Sequence, residues 1–261
     1  MKYEKRIVDP SRGIQQITYE DERWYTAEKD GQEVHIPSVT WICGFYPKGI
    51  EFYKWLANKG WDESQALKTA AGDKGSKIHH AIEALILGQD VDYNSMYMNH
   101  TTKQDEELSS EEFEAVWAFQ KWFEKMKPEV IEAETVTMSE KYGFAGTVDF
   151  ICKIGDQTYI VDFKTGQYIW TEYELQVSAY KHSLIEEKKV DENVKLAILQ
   201  VGYRKNKMGY KFTEIEDKFK LFLGAKMIWS EEAGKQKPLQ KDLPIKLSLN
   251  LQKQDVTPKT N

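Results

Sequence analysis

At 261 residues, 41% of them hydrophobic, the chain is long enough to bury a full core, and its length suits one domain, read as residues 1–251 with a polar, disordered tail over 252–261. Two cysteines, Cys43 and Cys152, exclude a four-thiolate iron–sulfur cluster within one chain; the absence of a secretory segment or an apolar run near about 18 residues points to a soluble, cytoplasmic protein with no membrane partner. A formal net charge of −6 excludes a broadly basic surface, so any grip on nucleic acid must come from a local cleft.

Residues 1–36 carry short alternating runs at Gln16 to Tyr19 and Arg23 to Thr26, with a polar turn at Glu28 to Gly31, and predict a small hairpin. Ser38 offers an N-cap to Val39-Thr40-Trp41-Ile42, and Ile50 to Lys59 has helical spacing in Phe52, Trp55 and Leu56. Trp41, Trp55 and Trp61 are read as packing residues. Asp62 to Leu87 is helical, interrupted near Gly72 and Gly75, with Ile78, Ala81, Ile82 and Leu85 as its apolar stripe. His79 and Glu83, four apart, share a face of it, whereas His80 points about 100° away.

Gly88 to Glu107 has no period and predicts a long loop, a candidate flap over the substrate entrance. Ser109 with Glu112 forms a capping box for a helix over Glu111 to Lys127, whose Phe113, Val116, Trp117 and Phe123 are read as core. Val130 to Ser139 alternates as a strand with Glu132 and Glu134 on one face, read as exposed and left out of the site.

The chemistry lies between Gly146 and Lys164. Two β-branched and aromatic runs flank Gly155-Asp156, a two-residue hairpin turn, and that register sets Asp149 opposite Asp162 on one sheet face. Opposed carboxylates about 4.5–5.5 Å apart at their β-carbons repel, and a hard divalent cation offsets this. Lys164, two residues after Asp162, shares that face. Thr171 with Glu174 then reads as a capping box for a helix over Glu172 to Glu186, on which Tyr173, Gln176 and Tyr180 share one polar-aromatic face. Lys195 to Val201 is an apolar strand. Arg204, Lys205, Lys207 and Lys211 stand among aromatics as a solvated turn that can also track phosphates, and Phe219 to Ser230 is a closing helix.

Gly146-x-x-Asp149, Asp162-x-Lys164-Thr165-Gly166 and Gln176-x-x-x-Tyr180 resemble the signature of the PD-(D/E)XK nuclease superfamily, in its RecB-like exonuclease branch. Upstream, Pro37-Ser38-Val39-Thr40 and Gly75-Ser76-x-x-His79-x-x-x-Glu83 resemble the N-terminal motifs of phage and mitochondrial genome maintenance exonucleases. The resemblance runs in order from Pro37 to Tyr180. It implies an α/β fold with a restriction-endonuclease-like core, a central mixed sheet of four or five strands flanked by helices in α-β-β-β-α-β order, and a helical N-terminal wall.

It also implies a metal-dependent DNA exonuclease acting on single-stranded ends in replication, recombination or repair, in a phage-infected or bacterial cell. One or two Mg²⁺ or Mn²⁺ ions would be held by His79, Asp149, Asp162 and the Phe163 carbonyl. Lys164 would stand beside the nucleophilic water, with Gln176 and Tyr180 positioning the reacting groups. Glu83 and Thr165 are supporting candidates, and Ser38, Thr40, Tyr173, Arg204 and Lys205 are candidate substrate contacts. DNA is the expected partner, with a recombination or single-strand-binding protein as a further candidate. An endonuclease on the same core, or an inactive DNA-binding recombination subunit, remains an open alternative.

Overall fold

A computed structural model describes residues 4–19, 22–241 and 246–248; the polar tail expected over 252–261 lies outside the described residues. The first 37 residues form more than a hairpin. β1 (Glu4–Asp9), β2 (Ile14–Thr18), β3 (Arg23–Lys29) and β4 (Gln32–Pro37) make a four-stranded antiparallel meander in sequence order. Sequence alternation showed only the half-buried middle strands, because β1 and the start of β4 are mostly polar.

Ser38 caps α1 (Val39–Cys43), its hydroxyl accepting from the Trp41 N–H at 3.1 Å. α2 (Ile50–Lys59) buries none of its residues, so Trp55 is exposed rather than packed, as is Trp61 at the start of the next helix. α3 (Trp61–Ile86) runs unbroken through Gly72 and Gly75, correcting the expected interruption. Glycine costs a helix interior only about 1 kcal/mol relative to alanine. The buried Ile78, Ala81 and Ile82 outweigh that by packing the helix onto the core.

The expected loop over 88–107 contains a short hairpin, β5 (Met96–Met98) and β6 (Asp105–Glu107). Polar bonds hold it to α3: the Thr101 N–H donates to Asp73, and Lys77 Nζ reaches Glu106 at 3.4 Å. α4 (Ser110–Met126) opens on the expected Ser109–Glu112 capping box, although its Trp117 faces solvent.

The central sheet contains β7 (Glu129–Ser139), β8 (Phe144–Ile154), β9 (Gln157–Lys164), β10 (Lys195–Val201) and β11 (Tyr210–Ile215), in the order β11-β10-β9-β8-β7. β9 and β10 run parallel through the crossover helix α5 (Thr171–Glu186), and the other neighbours are antiparallel. From α4 to β10 the order is α-β-β-β-α-β, as the motif resemblance implied, and β11 adds the fifth strand of the sheet. α5 lacks the expected capping box: Trp170 is its N-cap without a side-chain bond, and Glu174 instead receives Lys218 Nζ at 2.5 Å.

Two cores flank the sheet. On one side Val148, Ile151, Ile160 and Ile198 pack with α1, α5 and α6 (Phe219–Glu232). On the other, Phe150, Val161, Phe163 and Leu199 meet Ile78 and Ile82 of α3 and Phe119 and Trp122 of α4. No helix among the described residues is long and apolar enough to cross a membrane.

Candidate active site

Gly155, with φ +61°, turns the β8–β9 hairpin so that Ile154 pairs with Gln157, the register expected from the sequence. The ladder closes at Phe150–Val161, and Asp149 and Asp162 are the next pair in line. They do not continue it. The Phe163 N–H donates instead to Asp149 Oδ2 at 2.7 Å, leaving Oδ1 facing His79 Nδ1 at 3.6 Å. His79 comes from the middle of α3, and its Nε2 lies 3.0 Å from the Phe163 carbonyl oxygen. That carbonyl, expected as a metal ligand, is therefore engaged by His79.

Glu134 was expected to be exposed and outside the site; the structure places it inside. Ala133 pairs with Phe150 and Thr135 with Val148, so Glu134 stands opposite Asp149. Its φ is +48°, a left-handed conformation uncommon for a non-glycine residue, downstream of a register shift between Val130 and Glu132. Such irregularities re-aim side chains near functional sites. Ligand atoms of His79, Glu134 and Asp149 all lie within 4.8 Å of one another. Strand alternation does not encode the irregular backbone, which is why this residue was missed.

Asp162 points elsewhere. It is 1% exposed, its Oδ1 accepts from Gln176 Nε2 at 3.0 Å, and Lys164 Nζ lies 2.5 Å from its Oδ2. The Lys164 ammonium thus engages Oδ2 in a close, buried ion pair, and the amide of Gln176 engages Oδ1. Gln176 Nε2 also donates to the Tyr180 hydroxyl at 3.0 Å, and Lys164 Nζ sits 4.8 Å above the Tyr173 ring. Tyr180 explains the first motif glycine: a Cβ on Gly146 would lie 2.4 Å from its ring.

Burial opposes charge on His79, but the Asp149 carboxylate beside it lifts the imidazole to about 9. Burial likewise works against the Asp149 anion, yet His79, Lys164 and the Phe163 N–H hold it below the ordinary carboxylate value. Burial, then the Asp149 charge, pushes Glu134 up to about 8. Asp162 is raised to about 6 by burial, against the pull of Lys164. Burial disfavours the Lys164 ammonium, but Asp162 and Asp149 hold its pKa above the ordinary lysine value.

Three carboxyl groups thus crowd a floor with too little positive charge to keep all of them ionised. Oxygen-rich donors with one imidazole, and a carboxyl whose pKa burial and then the Asp149 charge raise, suit a hard divalent cation.

This floor opens into a cavity of about 920 Å³. Ser38, Thr40, Thr165, Tyr173, Gln176 and Tyr180 line it. Arg204 and Lys205 are outside its lining: Arg204 pairs with Glu111, and Lys205 Nζ lies 4.5 Å from the Tyr168 ring centroid. Glu83, one turn along α3, acts on Glu134 as a like charge.

No curated protein matches the chain. Among solved structures, one described as "Putative exonuclease", from Eubacterium rectale, is 13% identical with a TM-score of 0.41, covering 67% of this chain and 77% of its own. A family model described as the PD-(D/E)XK nuclease superfamily matches residues 52–243, a span that holds His79, Glu134, Asp149, Asp162, Lys164, Gln176 and Tyr180. On the strength of that match, the chain belongs to the PD-(D/E)XK nuclease superfamily.

Proposed function

We propose that the protein is a divalent-metal-dependent deoxyribonuclease that degrades single-stranded DNA from free ends, with the N-terminal sheet and the central core acting as one nuclease domain. The observation that supports this most is the convergence of His79, Glu134 and Asp149 beside the Asp162–Lys164 pair on the floor of one cavity. His79, Glu134 and Asp149 are the donors for Mg²⁺ or Mn²⁺, and Asp162, held by Lys164 and Gln176, stands behind them. A cation held there supplies the positive charge that a phosphodiester's oxygens need as they are attacked.

The protein's own groups do the remainder. Lys164, kept protonated, presents an ammonium to the scissile phosphate and orients the attacking water electrostatically. Gln176 fixes that lysine's partner by holding Asp162 Oδ1, and Tyr180 fixes Gln176. The buried environment strengthens each of these interactions by excluding competing water.

Preference for an end follows from charge. A protein of net charge −6 gains little from sliding along a duplex, and this charge favours a grip on a strand end inside the cleft. The test is a time course on linear and closed circular single-stranded DNA of one sequence, with Mg²⁺, Mn²⁺ or EDTA. Loss of the linear form alone, only with metal, is the expected result. Rapid cutting of the circle would show an endonuclease, and cleavage in EDTA would remove the metal from the account.

A further inference from the structure

One wall of the cleft comes from a part of the chain that the motifs do not reach. The strand pairings place Arg6, Gln16 and Tyr25 in one row across β1–β3, and Thr18 and Arg23 in the next, so all five share one sheet face. The other end of this face is apolar. There Val8, Ile14 and Ala27 pack on Val136, Met138 and Ala145 of the central sheet. The face changes from apolar to cationic where it overhangs the cavity, which Arg6, Arg23, Gln16, Thr18 and Tyr25 all line.

Residue choice and pairing point the same way. The chain has only four arginines among its 36 basic residues. Arg12 is held by Asp9 and Glu187, and Arg204 by Glu111, whereas Arg6 and Arg23 have no ion-pair partner among the described residues. Two guanidiniums without an ion-pair partner among the described residues, in a protein with an excess of acidic residues, thus line the cavity that holds the candidate metal donors. Arginine's planar fork suits phosphate oxygens better than a lysine does.

The wall is also tied to the floor. Gln16 Nε2 donates to the Tyr25 hydroxyl at 2.8 Å, and that oxygen lies 3.0 Å from Thr147 Oγ1, two residues before Asp149 on β8. The arginines are thereby held at a set reach from the reacting centre.

We propose that the cleft-facing end of the β1–β4 sheet is a phosphate-binding subsite, in which Arg6 and Arg23 hold the backbone of a nucleic-acid strand next to its scissile phosphate. The subsite deepens the nuclease reading and rests on it for the identity of the strand.

The test measures binding of a fluorescent oligothymidylate to the full chain in EDTA, by anisotropy over a series of KCl concentrations. On a single strand, every phosphate that is no longer neutralised lowers the slope of log K against log salt by about 0.7, so the double variant Arg6→Gln with Arg23→Gln should show a slope smaller by about 1.4. Lys5, on the opposite face, and Lys29, beside Glu140 at the far end of β3, give a charge-matched control. Lys5→Gln with Lys29→Gln should leave the slope in place.

An unchanged slope in the arginine variant, or an equal decrease in the lysine control, overturns the subsite. Should the double variant fail to fold, Arg6→Gln alone decides the matter through a decrease of about 0.7. A wild-type protein that binds the strand with its full slope yet degrades none with Mg²⁺ or Mn²⁺ would overturn the nuclease reading and leave the subsite standing.

Discussion

The Phe163 N–H and the Asp149 carboxylate are joined by a 2.7 Å hydrogen bond just past the last rung of the β8–β9 ladder. A side chain thus replaces a backbone acceptor where the strands part over the site. Asp149→Asn keeps an acceptor oxygen for that N–H, while Asp149→Ala leaves a buried donor unpaired, at about 1–3 kcal/mol. Both variants should lose nuclease activity, with the alanine variant the less stable in EDTA by that amount. Denaturant unfolding checks the difference, and equal stabilities would show that the bond is dispensable.

Lys164→Ala removes the ammonium that pairs with Asp162, a carboxylate that is 1% exposed. Breaking a buried pair from one side costs about 3–5 kcal/mol when the remaining charge cannot escape. Asp162 can escape by taking up a proton, since burial already raises it to about 6 and losing the lysine raises it further. The folded state would then hold a proton that the unfolded state releases, so the variant's deficit should widen from mildly acidic to alkaline pH. Thermal unfolding against pH should show this, along with loss of cleavage at every pH.

Glu134 gives a pH signature of its own. Its folded pKa of about 8 exceeds the ordinary 4.5, so between those values the folded protein binds a proton that the unfolded chain has lost. Wild-type stability in EDTA should fall as pH rises through that window. Glu134→Gln has no such proton to hold. The melting temperature of the variant minus that of wild type should climb from about pH 5 to about pH 8 and then level off; a flat difference would contradict the buried, crowded carboxyl described above.

Gly146→Ala drives a methyl group into the Tyr180 ring, which Gln176 holds in place. Overpacking of this kind costs about 1–3 kcal/mol, and it should also displace Gln176 from Asp162 and reduce cleavage. Adding Tyr180→Ala removes the obstacle. The two changes should therefore be non-additive by about 1 kcal/mol or more in a double-mutant cycle.

The hairpin that carries Asp149, Asp162 and Lys164 was readable because Gly155-Asp156 fixes its register and strand alternation fixes its faces. Helix spacing likewise carried His79, Gln176 and Tyr180 to the cavity. What the sequence concealed depended on departures from regular backbone. Glu134 reaches the site through a left-handed residue that no period of two describes, and Asp162 turns toward Gln176 because its strand parts from β8 there. The Arg6 and Arg23 wall was hidden for another reason: residues distant in sequence align in one row only once the strands are paired.

Because β1 is the edge of its sheet, bonded to β2 alone, one of the two cleft arginines hangs from a single ladder. A protease cut in the turn at 10–13, or fraying of that edge, would free Arg6 while the donors of the metal cluster stayed in position. Bulk measures of folding, such as circular dichroism, would barely register the loss. Intact-mass analysis of a preparation is therefore as informative about its hold on long strands as any melting curve.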